Sequence, residues 1–105
     1  MIELGLQTCG PAKCHLGHSK HLPDRVVELS GLAVPDAFRR RGWANRLLRR
    51  VCGKADTAFL PLVLMLDKPE DRLFNLYSPH GFVVFQTSPV YLMVRLPRAQ
   101  NAKNG

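Results

Sequence analysis

The chain lacks the features that mark membrane and secreted proteins. Its longest apolar run, Phe59 to Leu66, is interrupted by Pro61 and falls far short of the ~20 residues a spanning helix needs. The N-terminus has no basic region followed by an apolar stretch, so no secretory signal is expected. Three cysteines, an odd number, give no disulfide framework, and a reducing cytoplasm is the simplest setting. Aromatic residues make up only 8% of the chain and do not alternate with basic ones, so the stacking pattern of a nucleic-acid binder is missing. Acidic residues are scarce: eight, against fifteen Lys and Arg, for a net charge of +7. That excess implies an anionic partner or simply good solubility. A basic nucleic-acid-binding protein has no support beyond this charge.

What is present is ordinary globular material. At 105 residues and 46% hydrophobic the chain predicts one domain, residues 1–105, rather than a disordered segment. Met1 to Gln7 has the length of a short strand. Thr8 to Asp24 carries Gly10, Pro11, Gly17 and Pro23 among Cys9, Cys14, His15, His18 and His21, which is loop composition. Zinc sites pair Cys-x2-4-Cys with His-x3-5-His. Here His18 and His21 have only two residues between them and no second half-pattern follows, so a polar loop with incidental histidines is expected and no metal site is assigned.

The organising stretch is Val26 to Asp56. Val26 to Val34 is a strand rich in Val and Leu, and Pro35 stops it by removing a ladder donor. A loop, Asp36 to Gly42, contains Arg39, Arg40 and Arg41 in a row. Trp43 to Asp56 then has helical spacing, with Leu47, Leu48, Val51 and Ala55 on one side and Arg46, Arg49, Arg50 and Lys54 mostly on the other. Six of the ten arginines fall between Arg39 and Arg50. A solvated helix face accounts for Arg46, Arg49 and Arg50 as readily as a ligand does. At the loop-to-helix junction, however, free N–H groups, the helix dipole and a residue without a side chain, Gly42, together invite a phosphate.

Phe59 to Leu66 reads as a strand buried on both faces, parallel to the first through the helical crossover. Glu70 to Tyr77 reads as a short helix with Leu73, Leu76 and Tyr77 on one side and Asp67 as its cap. Phe82 to Gln86 and Tyr91 to Leu96, around Thr87-Ser88-Pro89, predict an antiparallel hairpin. Residues 97–105 read as a polar, frayed tail.

Arg39-Arg40-Arg41-Gly42-Trp43-Ala44 resembles the (Gln/Arg)-x-x-Gly-x-(Gly/Ala) loop of the Gcn5-related N-acetyltransferases. Leu32-Ala33-Val34-Pro35 looks like the end of that family's fourth strand, and Leu76-Tyr77-Ser78-Pro79-His80-Gly81-Phe82 like its Leu-Tyr-x-x-x-Gly-Phe element. The resemblance covers residues 26–96. It implies an α/β (α+β) fold with a mixed, mostly antiparallel sheet, a central strand–helix–strand unit that binds acetyl-CoA, and a C-terminal hairpin. Residues 1–25 would be a reduced N-terminal part.

The resemblance also implies roles. Leu32, Ala33 and Val34 would offer backbone groups to the pantetheine arm. Backbone N–H groups from Arg40 to Asn45, including Arg41, Gly42, Trp43 and Ala44, would hold the pyrophosphate, with the Arg39 side chain against it. Tyr77 resembles the general acid that protonates the leaving thiolate. Glu28, six residues before Val34, resembles the base, and partial desolvation on an apolar strand suits that role. Plain amphipathic packing for Tyr77 and a solvent-facing strand start for Glu28 are the structural alternatives. Two departures stand out: only twenty-five residues precede the motif strand, and Glu70 stands where the family often has Asn. The short N-terminal part leaves the acceptor side open. That suits a protein or peptide amine, or a site completed by a second subunit in a homodimer. The alternative function is a catalytically inactive module that binds acetyl-CoA or another anion.

Overall fold

The computed structural model describes residues 2–20 and 22–98. Eight main elements follow in order: β1 (Gly5–Cys9), β2 (Ala12–Gly17), β3 (Val27–Ala33), α1 (Trp43–Ala58), β4 (Leu62–Leu66), α2 (Asp71–Tyr77), β5 (Val83–Gln86) and β6 (Tyr91–Arg95). The strands form one sheet in the order β1-β2-β3-β4-β6-β5. Every neighbouring pair is antiparallel except β3 and β4, which the α1 crossover makes parallel, as expected. No described helix is long and apolar enough to cross a membrane. The frayed-tail expectation for residues 97–105 falls largely outside the described residues, as does His21.

The stretch expected to be a loop, Thr8 to Asp24, instead supplies the end of β1 and all of β2, joined by a tight turn at Gly10-Pro11. Ala12, Cys14 and Leu16 are buried while Lys13 and His15 are exposed. This is the period-two alternation of a half-buried strand. Glycine, proline and histidine obscured it, and buried Cys behaves as a small hydrophobe. Cys14 and His15 therefore lie on opposite faces of β2, and among the described residues no three potential ligands gather around a metal position.

The chain between Phe59 and Pro61 also differs from expectation. Phe59 adopts a left-handed conformation (φ 56°) and its N–H bonds back to Ala55 and Asp56 carbonyls, ending α1. Leu60 N–H bonds to Ala55 O as well, so these residues terminate the helix and β4 starts only at Leu62. Met65 is 51% exposed, so the second face of β4 is only partly covered. At α2 the N-cap is Glu70, not Asp67, and it caps through its backbone carbonyl, which accepts from Leu73 and Phe74 N–H.

Both helices pack on one face of the sheet. Leu47, Leu48 and Val51 of α1 are fully buried against Leu16, Val27, Leu62 and Met93. Truncating either leucine to Ala would cost about 2–5 kcal/mol. Arg50 Nη1 donates to Thr8 O (3.0 Å) and Lys54 Nζ to Gln7 Oε1 (2.9 Å), so part of the basic face of α1 ties the helix to β1. At the far end of α1 the buried Arg95 makes paired hydrogen bonds with Asp56 (2.8 and 2.9 Å).

Candidate functional site

The site begins where β3 and β4 part. Their pairing is confined to Val27 with Leu62 and Glu28 with Val63, yet β3 runs on to Ala33 and β4 to Leu66. The strands thus form a fork that opens toward their C-terminal ends. On its other edge β3 shifts register against β2 between His15–Ser30 and Lys13–Ala33. The bulge falls at Gly31, whose φ of +65° costs a glycine little, and a bulge bends the strand that carries it.

Beyond Ala33 a single 3₁₀ turn, Asp36–Phe38, leads into the arginine run. Gly42 is the N-cap of α1, with φ 83° and no side-chain cap. Open space surrounds the position a Cβ would take there. The first helical bond runs from Arg46 N–H to Gly42 O, so the N–H groups of Trp43, Ala44 and Asn45 have no intrahelical partner. With the positive end of the dipole they form an anion cradle.

A cavity of about 410 Å³ joins this cradle to the end of β3, on one side of the fork. Its walls are Leu32, Ala33 and Val34 of the strand end, Arg39, Arg40, Gly42, Trp43, Ala44 and Asn45 of the loop and helix start, and Tyr77 of α2. Of the cofactor-binding residues expected from sequence, only Arg41 stands outside the lining. Arg39 does not reach toward the helix start: its Nε donates to Val34 O (3.1 Å) and its Nη1 pairs with Asp36 (3.0 Å). Arg46 lies 4.8 Å over the Trp43 ring, a cation–π contact rather than a ligand position.

Tyr77 is buried, edge-on to Phe82 with ring centroids 5.6 Å apart. Burial, then the nearby Cys14, pushes its hydroxyl above the usual phenol range, outweighing the opposing pull of Arg72. The phenol therefore stays protonated at neutral pH. Glu28 does not line the cavity. Val27 and Leu29 point into the helix-side core, so Glu28 faces the opposite side of the sheet, at the last paired position before the fork opens.

Sequence reasoning missed Phe38, Arg72, Leu73 and Leu76 in the cavity wall. The helical repeat of Leu73, Leu76 and Tyr77 was a usable signal for α2. It also missed His80, whose Nε2 lies 2.9 Å from Asn45 Oδ1 and for which no local pattern existed. A larger depression, about 710 Å³, lies between Ile2, Glu3 and the far end of α1. It has neither a helix N-terminus nor a fork, so volume alone does not mark the site. The thiols of Cys14 and Cys52 are pushed up to about 11, mainly by burial, and are protonated and unreactive at neutral pH.

No family model matches the sequence, and no curated protein sequence matches it. Solved structures do match. The ribosomal-protein-S18-alanine N-acetyltransferase from Escherichia coli is 16% identical with a TM-score of 0.69, over 88% of this chain and 65% of that one. A GNAT-family acetyltransferase from Staphylococcus aureus is 14% identical with a TM-score of 0.67, over 84% and 60%. The PaiA N-acetyltransferase from Thermoplasma acidophilum, in complex with coenzyme A, is 16% identical with a TM-score of 0.64, over 81% and 52%. The chain thus spans between about half and two thirds of the lengths of these structures. At such identities the likeness is one of fold, and the fold of this chain is that of the Gcn5-related N-acetyltransferases.

Proposed function

We propose that the protein is an acetyl-CoA-dependent N-acetyltransferase that moves the acetyl group directly to a primary amine of a protein or peptide. The observation that carries this reading is the single cavity in which the end of β3 that no longer pairs with β4, the uncapped start of α1 and Tyr77 meet. The residues present fit the ligand. The N–H groups from Gly42 to Asn45 would take the pyrophosphate, and nothing at Gly42 obstructs it. The unpaired edge of β3 from Leu32 to Val34 would take the pantetheine amides, once Arg39 releases the Val34 carbonyl.

Acetyl-CoA would supply the thioester. The amine nitrogen attacks its carbonyl carbon, the C–S bond breaks, and an amide forms. Tyr77 would give its proton to the leaving sulfur. Glu28, across the fork, would take the proton lost by the amine, directly or through water. The structural neighbours include a NatC complex bound to Gag peptide and CoA, which supports a peptide amine on this fold.

The test is calorimetry with acetyl-CoA and CoA on the wild type and on Gly42→Glu. The glutamate brings both bulk and negative charge to the cradle, at a backbone position of φ 83°, and should abolish binding. Unchanged affinity in a folded variant would remove the cradle from the mechanism. A non-catalytic acetyl-CoA-binding module is the second reading, favoured by the position of Glu28 outside the cavity. Incubation with labelled acetyl-CoA, a cell-extract proteome and a small-amine mixture separates the two. Label on protein supports transfer to proteins, label on small amines alone removes the protein acceptor, and label on neither leaves the binding module.

A further inference from the structure

A second cavity, about 340 Å³, lies beside the middle of α1. Arg49, His80, Arg95 and Arg98 form its walls, with Cys52 and Asp56 among the remaining lining. Among the described residues Asp56 is its only carboxylate and is already committed: it accepts both hydrogen bonds from Arg95 and a third from Arg98 N–H at 2.8 Å. Three guanidiniums thus face one carboxylate, and among the described residues neither Arg49 nor Arg98 makes a side-chain ion pair, although the Arg98 charge acts on Asp56 from a distance. Their convergence is visible at His80. Its imidazole is held below the usual range first by burial and then by Arg49, Arg95 and Arg98.

This cavity adjoins the candidate acetyl-CoA site. His80 is hydrogen-bonded to Asn45, which lines the first cavity. Arg49 follows Asn45 by one helical turn, about 6 Å along the axis. A ribose carrying phosphates at its 5′ and 3′ positions spans a comparable distance. A phosphomonoester carries close to two negative charges at neutral pH, which matches the surplus here. We infer that the Arg49–His80–Arg98 cavity is a second phosphate subsite, which takes the 3′-phosphate of coenzyme A while the pyrophosphate rests on the start of α1.

This inference rests on the acetyl-CoA reading, and its test separates the two. Calorimetry would compare CoA with 3′-dephospho-CoA on the wild type and on an Arg49→Ala/Arg98→Ala variant. Both side chains are on exposed residues, and the Arg98 N–H that bonds Asp56 survives the change. The wild type should bind CoA roughly ten- to hundredfold more tightly than dephospho-CoA, on the scale of hydrogen bonds to charged groups. The variant should lose that preference and keep its affinity for dephospho-CoA. In NMR spectra the His80 ring protons should shift with CoA and stay put with dephospho-CoA. Equal wild-type affinities, or a preference that survives the double substitution, would overturn the subsite and leave the cofactor reading intact. Failure of both compounds to bind would overturn the cofactor reading and the subsite together.

Discussion

Replacing Asp56 by Ala removes the carboxylate that locks the end of α1 to β6. Arg95 is only 3% exposed at its side chain and Asp56 14%. The carboxylate accepts from Arg95 Nη1 and Nη2 and from Arg98 N–H. Without it the buried guanidinium keeps one identified acceptor, the His80 carbonyl, which lies 2.7 Å from Nε. Leaving a buried charge unpaired costs about 3–5 kcal/mol, against about 0–1 kcal/mol for an exposed pair such as Arg39–Asp36. For a domain of this size each kcal/mol is worth about 4–8 °C, so the melting temperature should fall by at least about 12 °C at pH 7. Circular dichroism melts and urea titrations measure this. An Asp56→Leu/Arg95→Met pair should recover much of the loss, because it removes both charges. A loss below about 0.5 kcal/mol in Asp56→Ala would refute the argument. The wild type should show the matching pH dependence. Burial raises the Asp56 carboxyl, but the hydrogen bonds and charges of Arg95 and Arg98 outweigh it and hold the group below its ordinary value of 3.8. A depressed folded value means the contribution is complete above that pH and fades as the pH falls below it through the folded pKa. Asp56→Ala should not show this acid loss.

Two further substitutions test the chemistry. Tyr77→Phe keeps the ring against Phe82 and removes the hydroxyl; turnover should fall roughly 100-fold, the scale of general-acid catalysis, with cofactor affinity unchanged, and full activity would refute the role. Glu28→Gln should depress the rate most at neutral pH and recover as pH rises and free amine accumulates, whereas a uniform loss across pH would mean that Glu28 only supports the strand.

The parts of this molecule that were legible in the sequence are those whose signal is local. Pro35 ends β3 wherever the strand lies, Gly42 permits the helix start whatever binds there, and the repeat of Leu47, Leu48, Val51 and Ala55 announces the buried face of α1. The fork itself was not legible, because parting depends on where β3 stops pairing with β4, and no local pattern marks that position. The β1–β2 hairpin was hidden for a different reason. Its turn and strand residues are Gly, Pro, Cys and His, and their loop-like composition outweighed an alternation only three buried residues long.

The contacts that give the arginines their meaning were beyond sequence reasoning altogether. Arg50 meets Thr8 across 42 positions, Lys54 meets Gln7 across 47, and Arg95 meets Asp56 across 39. Nothing one-dimensional pairs such residues. This changes what the charge of the chain implies. A run of basic residues from Arg39 to Lys54 suggests one broad anion-binding face, but the fold disperses it. Arg39 bonds Val34 and Asp36, Arg46 covers Trp43, and Arg50 and Lys54 hold β1. What remains for a ligand is concentrated at two places: Arg40 and Arg41 in the loop before the α1 cradle, of which Arg40 lines the cavity, and Arg49 with Arg98 one turn further along. Two separated positive centres along one helix fit an extended ligand with phosphates at both, and fit a uniformly charged polymer poorly. The distribution of uncommitted arginines, more than their number, therefore favours a nucleotide cofactor over a nucleic acid.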